Sequence, residues 1–460
     1  LRRWFFAGAF CALSASASAQ LIELRATINA TQETSPTNSS ATGSAVMLYD
    51  VATNTFDLWI TINGFSNTLS ASHVHEGAAG VAGPVVTNLG AESVYTRNGT
   101  TLTAAFRGVA HGGDKLKLLQ SGAYLNFHTS DFPAGEVRGQ LIAQPKRLTA
   151  IINAAQERAA FPASTINSDA YGAAIMLYHP ATNKVSLRIS LYGFTNTLTA
   201  SHYHEGLPGV SGPVVTNLGA GTVSNYVRVG NWITGTFNDL TYMGDVVKLL
   251  TGGAYLNFHS NVYAPGEIRG QVIPSDDVSA AHLGNASARG FVGTGAQVLI
   301  GGLNVTGPEP IRVLITAKGP SLTAFGVAGV LANPTLNVHD SAGRLIAQND
   351  DYGAVAAGTD IALYPAPPAA LEAAVLLVLP PGNYTAIMSG AGASTGVGLL
   401  ETYDVRDFVG STAAGAMQMI ARNAADRDTG PVAALQLADE VEWCRLPTVV
   451  ATAASAPLAR

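Results

Sequence analysis

The sequence is short of charged residues. Only 12% of its 460 residues are Asp, Glu, Lys or Arg, and 31 acidic against 25 basic residues give a formal net charge of −6. A chain of this charge does not attract nucleic acid or anionic membranes, so we expect no nucleic-acid partner. Because 47% of the residues are apolar, the composition also disfavours intrinsic disorder, which requires few apolar and many charged residues.

Cysteine is almost absent. The chain has two cysteines, Cys11 and Cys444, and Cys11 lies in a segment that we expect to be removed on export. A single remaining thiol cannot form an intrachain disulfide, so the fold must rest on burial and hydrogen bonding. Long apolar runs are missing as well: beyond the N-terminus no 18 consecutive apolar residues occur, which predicts no transmembrane span.

The N-terminus has the pattern of a secretory signal peptide. Two arginines precede the apolar stretch 4–13, and a run of small residues then ends in Ala17-Ser18-Ala19, which fits the A-x-A cleavage pattern. We therefore expect residues 1–19 to be a signal peptide. The mature protein would then be secreted, or located in the periplasm or on the cell surface.

An internal duplication is the strongest feature of the chain. Residues 21–144 recur at 147–273, with an offset that grows from 124 to 131 along the repeat. A unit of about 125 residues matches one domain and not a solenoid repeat. We therefore predict two tandem domains with these bounds.

Each repeated unit has the pattern of β-strands. Apolar and polar residues alternate over 56–62 and again over 185–191, which places one apolar face inward on a half-buried strand. The segment 50–55, Asp-Val-Ala-Thr-Asn-Thr, is a turn signal between two such strands. We predict an all-β chain whose two repeats are antiparallel β-sandwiches or flattened barrels of the immunoglobulin-like kind.

The pattern changes after the second repeat. Shorter apolar strands separated by Gly/Pro turns predict a third, smaller β-sandwich module at 284–405. Its segments 290–295 and 313–322 resemble a β module common at the C-terminus of bacterial exported proteins, which implies a bacterial source but no chemistry. Residues 406–460 are Ala-rich, and we assign them no domain.

Six of the ten histidines occupy matching places in the two repeats: His73, His75 and His128, then His202, His204 and His259. Residues two apart on a strand share a face about 6.6 Å apart, so both imidazoles of a His-x-His can lean onto one metal ion. Neutral imidazole suits Zn, Cu, Ni or Fe, and three protein ligands plus water would make an open site. The third histidine can join only if its strand is a neighbour of the first.

Four segments around these histidines resemble the chordin-type (CHRD) domain. They are His-x-His-Glu-Gly at 73–77, the glycine-rich segment 80–86, Asn-Phe-His-Thr at 126–129 and Gly-Glu-Val-Arg-Gly-Gln at 135–140, with second copies at 202–206, 209–215, 257–260 and 266–271. The family includes chordin, which binds and inhibits growth-factor ligands outside cells, and exported bacterial proteins. The resemblance therefore implies a compartment and an architecture more than an activity.

The CHRD domain is in turn similar to the β-sandwich of copper/zinc superoxide dismutase. That similarity implies that His73, His75 and His128 match copper ligands and that Arg138 matches the active-site arginine. The chain departs from the enzyme elsewhere: His111 lies between the motifs, but the second repeat has Tyr242 there, so no bridging histidine or zinc subsite is matched. Dismutase-like redox activity is therefore not expected.

A structural role is the alternative for these histidines, because a buried histidine beside a Glu and an Arg can satisfy its hydrogen bonds without metal. Glu136 and Arg138 share a predicted strand face, as do Glu267 and Arg269. We predict that each pair forms an ion pair that sets the register of its strand, and we assign no catalytic residue.

Two functional hypotheses follow. The leading one is an exported, non-enzymatic binding or adhesion protein whose partner is an unidentified extracellular or envelope protein or polymer. The alternative is a copper- or zinc-binding protein with one three-histidine site per repeat.

Overall fold

The described residues form mostly antiparallel β-strands with a few short helices, and the all-β prediction is confirmed. The computed structural model describes residues 21–160, 162, 166–221, 225–275, 285–352, 360–364, 369–405 and 441–442. The predicted signal peptide, 1–19, lies outside these residues, as does all of the predicted tail 406–460 except two residues. Over the described ranges, no helix has the length and apolar character needed to cross a bilayer.

Two compact units make up the structure, Leu1–Gln144 and Pro145–Arg460. The strands described in the first are β1 (Leu21–Asn29), β2 (Thr42–Asp50), β3 (Thr55–Asn63), β4 (Leu69–Glu76), β5 (Val85–Gly90), β6 (Thr96–Asn98), β7 (Thr101–Ala110), β8 (Ala123–Thr129), β9 (Val137–Gln140) and β10 (Ile142–Ala143). Helix α1 (Lys115–Leu119) precedes β8. The strands form one curled antiparallel sheet in the order β5-β4-β8-β9-β1-β2-β3-β7-β6, and β10 pairs with β1.

The second repeat has the same topology. Its elements are β11 (Lys146–Asn153), α2 (Ala154–Ala160), β12 (Tyr171–His179), β13 (Lys184–Tyr192), β14 (Leu198–Glu205), β15 (Val214–Gly219), β16 (Tyr226–Val229), β17 (Trp232–Thr241), α3 (Val246–Leu250), β18 (Ala254–Ser260) and β19 (Ile268–Pro274). Their order, β15-β14-β18-β19-β11-β12-β13-β17-β16, repeats that of the first sheet position by position.

Strand alternation builds the core of the first repeat as the sequence predicts. The apolar residues of β3, Phe56 to Ile62 at every second position, are buried, and the residues between them are partly or fully exposed. The predicted turn at 50–55 joins β2 to β3, and Asn54 takes the left-handed conformation there with φ 58°. Its side chain accepts a hydrogen bond from Tyr49 Oη (2.7 Å), which fixes the turn to the sheet.

Two smaller sheets follow the second repeat within the same compact unit. Their strands are β20 (Asn285–Val292), β21 (Leu299–Val305), β22 (Ile311–Lys318), β23 (Pro334–Asp340), β24 (Leu345–Asn349), β25 (Ala373–Leu379), β26 (Gly382–Gly390), β27 (Gly396–Asp404) and β28 (Val441–Glu442). The sheet orders are β20-β27-β22-β25 and β24-β23-β26-β21-β28. Strand β28 belongs to the segment for which the sequence predicted no domain, and it pairs with β21.

Strand β25 packs on the outer face of the second repeat. The main chain of Val378 donates to Ser190 Oγ (3.0 Å) and accepts from Tyr192 Oη (2.9 Å), so β13 is buried on both faces. The sequence predicted a half-buried β13, and that prediction is wrong because its polar face is covered by the C-terminal sheet. The matching positions on β3 are Thr61 and Asn63, both exposed.

Candidate metal centres

All six predicted histidines come together in two groups of three. In the first repeat β4 and β8 are antiparallel neighbours, with His73 opposite Asn126 and His75 opposite Tyr124, so His128 lies on the same face as the His-x-His pair. One ring nitrogen from each of the three lies within 4.8 Å of the others. Strands β14 and β18 repeat this arrangement in the second repeat with His202, His204 and His259.

Backbone carbonyls orient the rings in the first group. His75 Nδ1 donates to Gly83 O (2.9 Å) and His128 Nδ1 donates to Pro133 O (3.0 Å), which leaves the lone pair of each ring on Nε2. These two Nε2 atoms and His73 Nδ1 are buried and have no hydrogen-bond partner among the described residues. Three ring nitrogens therefore lie close together, and none of them has a hydrogen-bond partner among the described residues.

The second group repeats these contacts. His204 Nδ1 donates to Gly212 O (2.9 Å) and His259 Nδ1 donates to Ala264 O (2.8 Å), and His204 Nε2 is buried with no hydrogen-bond partner in the part of the chain that the structure describes. His202 Nδ1 lies 3.2 Å from His259 Nε2. Two nitrogens on one tetrahedral ion with bonds of 2.0–2.1 Å are about 3.3 Å apart, so this separation suits two ligands of the same metal.

Burial favours the neutral imidazole at His73, His75, His202, His204 and His259. Desolvation, and next the neighbouring histidines, lower the pKa of His202 to about 4 and also lower the pKa of His73. Desolvation likewise lowers the pKa of His75, His204 and His259, although each ring's Nδ1 hydrogen bond opposes the shift. The neutral ring is the form that ligates a metal.

The glycine-rich loop 77–84 orients the imidazole ring of His75. Arg138 donates to Ala78 O (2.8 Å) and Val81 O (3.0 Å), and Gln140 donates to Gly77 O (2.9 Å). A Cβ on Gly83 would stand 1.5 Å from Glu76 O, so only glycine fits where the loop closes. The loop is thus tied to β9, and its carbonyl at position 83 fixes the tautomer of His75.

A stack of three side chains supports the same histidine. The Tyr124 ring lies 4.9 Å from the His75 ring at 15°, and the Arg138 guanidinium lies 3.4 Å above the other face of Tyr124. Tyr255 and Arg269 repeat the stack behind His204. Arg138 is fully buried and engaged by carbonyls, so it does not occupy the place at a metal that the similarity to the dismutase implied for it.

The predicted ion pairs do not form among the described residues. Glu136 instead accepts from Ser39 Oγ (2.7 Å), Asn67 Nδ2 (3.0 Å) and Thr129 Oγ1 (2.9 Å). Glu267 likewise accepts from Ser168 Oγ and Asn196 Nδ2. The prediction assumed that residues 135–140 alternate along one strand. Strand β9 begins only after Glu136, and Gly135, just before it, has a φ of +129°, so Glu136 does not share the alternation of Arg138.

His111 does not join the first group. It is buried between Tyr49 and Phe56, whose rings contact it edge-on at 6.0 and 6.5 Å. Tyr242 is buried at the matching place in the second repeat, where its ring contacts Tyr203 edge-on.

One further matched pair near the sites, Glu33 and Glu157, was not predicted from the sequence. Their separation of 124 residues equals the offset at the start of the repeats and could have identified them.

The family comparison agrees with the duplicated structure. The sequence model of the CHRD domain matches residues 24–141 and again 148–272, together just over half of the chain. No curated protein matches the chain. The protein therefore belongs to the CHRD domain family and carries two such domains in tandem.

Proposed function

We propose that this protein binds one copper or zinc ion in each CHRD domain. The ligands would be His73, His75 and His128 in the first domain and His202, His204 and His259 in the second. The observation that carries the proposal is the convergence of three ring nitrogens in each domain, within 4.8 Å of one another. Three protein ligands leave a position for water or another small ligand, as open metal sites do.

A purely structural role accounts less well for this arrangement. Buried polar atoms are normally paired, yet His75 and His128 each leave Nε2 without a partner among the residues described by the structure, while Nδ1 donates to a carbonyl. A carbonyl on Nδ1 is the usual outer support of a metal-binding histidine, because it orients the ring and raises its basicity.

The donor set favours borderline metals over Mg²⁺ or Ca²⁺, which take oxygen ligands. Glu76 follows His75 directly, but its carboxylate accepts from Lys117 Nζ (2.8 Å) and from the backbone N–H of Asp114. Glu205 makes the matching contacts with Lys248 Nζ (2.6 Å) and Asp245 N (2.5 Å). Both carboxylates are thus engaged at the start of a short helix, which supports nitrogen-only sites.

Export and a binding or adhesion role are broader parts of the same proposal. The pattern of residues 1–19 supports export, and two equivalent sites on one chain support a role in holding a ligand over a catalytic one. A pull-down with the mature chain against secreted and envelope fractions tests this role, and an inert chain would contradict it.

We expect the untagged full-length mature chain to retain about two equivalents of metal after exposure to limiting copper or zinc. H73A/H75A and H202A/H204A should each retain about one, because each pair removes two of three ligands at one site. Mass spectrometry measures the metal content. H179A, at an unrelated histidine, should keep two equivalents, and circular dichroism should show that all variants fold. Folded wild-type protein without metal would contradict the proposal.

We expect metal binding to persist in mild acid. In H73A/H75A, which keeps only the second site, apparent zinc affinity should fall less than about tenfold between about pH 8 and pH 6, because the pKa of all three remaining ligands is lowered. Three histidines with an ordinary pKa would lose about 70-fold over the same range. Competition with a chelator of known proton affinity measures the change, and a loss of that larger size would contradict the expectation.

A further inference from the structure

The two CHRD domains share a second matched feature, a buried carboxyl oxygen that lies near a buried amide oxygen. Glu33 Oε1 and Asn126 Oδ1 lie 2.6 and 2.4 Å from the point where a Cβ on Gly135 would stand. Both oxygens are buried, and neither has a hydrogen-bond partner among the described residues. Because Gly135 leaves this space open, the two side chains meet over its backbone.

The second domain repeats the arrangement more deeply. Glu157, on α2, is fully buried, and neither of its carboxyl oxygens has a hydrogen-bond partner within the described ranges. Its Oε1 and Asn257 Oδ1 lie 2.5 and 2.6 Å from the corresponding Cβ position at Gly266. Two independent copies of the same contact show that it is a property of the domain.

Each amide has a paired nitrogen and an unpaired oxygen. Asn126 Nδ2 donates to Ala134 O and Asn257 Nδ2 donates to Pro265 O, each at 3.4 Å, while Oδ1 of both residues is buried and has no hydrogen-bond partner among the described residues. An ionised carboxylate has no donor to offer that oxygen, whereas a protonated carboxyl has one O–H. Two facing, buried acceptors are costly unless one of them carries a proton.

The surrounding groups do not restore the charged form. Arg138, on β9, favours ionisation of Glu33, but its two amino groups donate to Ala78 O, Val81 O and Gln140 Oε1, and its Nε makes no hydrogen bond to Glu33 or to any other described residue. Burial outweighs Arg138 and the backbone N–H of Thr34 and raises the pKa of Glu33 to about 7.

The same balance holds at the second carboxyl. Burial raises the pKa of Glu157 against the opposing effects of Arg269 and the Asn257 amide. Desolvation is thus the largest influence on the pKa of both carboxyls, and in each domain one arginine opposes it.

We propose that Glu33 and Glu157 keep their protons in the folded protein at pH values where an exposed carboxyl is ionised, and that each donates its proton to the amide oxygen of Asn126 or Asn257. The proton ties the segment after β1, or helix α2, to strand β8 or β18. Loss of the proton would set a carboxylate against the amide oxygen and beside the arginine that holds the glycine-rich loop. The device acts in the metal-free chain and does not depend on the proposed metal sites.

E33Q/E157Q in the full-length mature chain provides the test, because glutamine offers an N–H donor to the same oxygen at every pH. Raised folded pKa values mean that the stability these protons contribute is full below the unfolded pKa of 4.5 and is lost as pH rises through the folded pKa values, which for Glu33 is about 7. The urea midpoint of wild type should therefore fall relative to that of E33Q/E157Q across this window and then level off. E33A/E157A, which lacks the donor, should be less stable than E33Q/E157Q throughout.

Infrared spectroscopy gives an independent readout. The wild-type spectrum minus the E33Q/E157Q spectrum, both taken near pH 6, should show the carbonyl band of protonated, buried carboxyls. A wild-type spectrum without that band, or a glutamine variant less stable than wild type by the same amount at every pH, would establish ionised carboxylates and overturn the proposal.

Discussion

Replacing Asp360 with Asn should lower the free energy of unfolding of the second unit by about 3–5 kcal/mol. Asp360 Oδ2 accepts from Arg188 Nε and from an Arg312 amino group (2.6 Å), and all three side chains are buried. Burial opposes ionisation of Asp360, but the guanidiniums of Arg312 and Arg188 outweigh it and lower the pKa of the carboxyl. The neutral amide would leave Arg188 buried without a carboxylate.

The loss should be confined to the contact between the second CHRD domain and the C-terminal sheets. Urea unfolding followed by hydrogen exchange in β13 and β25 measures it. D57N makes the same chemical change at the Arg107–Asp57 pair, whose side chains are 60% and 35% exposed, and should have a much smaller effect because solvent screens this pair. Equal effects of D360N and D57N would show that the buried carboxylate does not hold the two parts together.

Replacing Glu136 with Ala should lower the free energy of unfolding of the first unit by about 3–5 kcal/mol. The carboxylate is fully buried and is the acceptor for Ser39, Asn67 and Thr129, which come from three separate segments of the chain. Alanine would leave a cavity and three donors without an acceptor. The same loss in the second unit is expected for E267A, where Ser168 and Asn196 lose their acceptor.

E136Q is the matched control for this prediction. Glutamine keeps the size of the side chain and one acceptor oxygen, so we expect it to cost about half as much as E136A. Urea unfolding with hydrogen exchange in β3 and β8 gives both values. If E136A and E136Q cost the same small amount, the hydrogen bonds at Glu136 would not be what anchors these segments.

Residue spacing alone predicted part of the geometry of the histidine sites. The His-x-His pair on one strand places two imidazoles on one face by the period of the backbone, and the duplication marks His128 and His259 as matched residues. Sequence could not establish that β4 and β8 are neighbours, because strand order depends on contacts between residues far apart in the chain. It also could not identify the carbonyls of Gly83 and Pro133 that orient the rings.

Charged residues were harder to place than apolar ones. Glu136 and Arg138 were predicted to pair with each other, yet each is held by neutral groups of distant segments: hydroxyls and an amide for Glu136, carbonyls for Arg138. An ion pair is a natural guess from sequence because opposite charges two residues apart attract. In a fold, however, a buried charge takes whichever donors or acceptors the neighbouring loops supply, and these depend on the tertiary structure.

The sequence by itself determined the β class, the duplication and the six histidines, because alternation and spacing are local properties that the backbone period converts directly into faces. Only the tertiary structure decided which faces are covered. Strands β3 and β13 have similar patterns, yet one is half-buried and the other is buried on both faces by β25. Contacts between residues distant in sequence also decided the raised pKa of Glu33, the carbonyl partners of Arg138 and the convergence of each histidine triad.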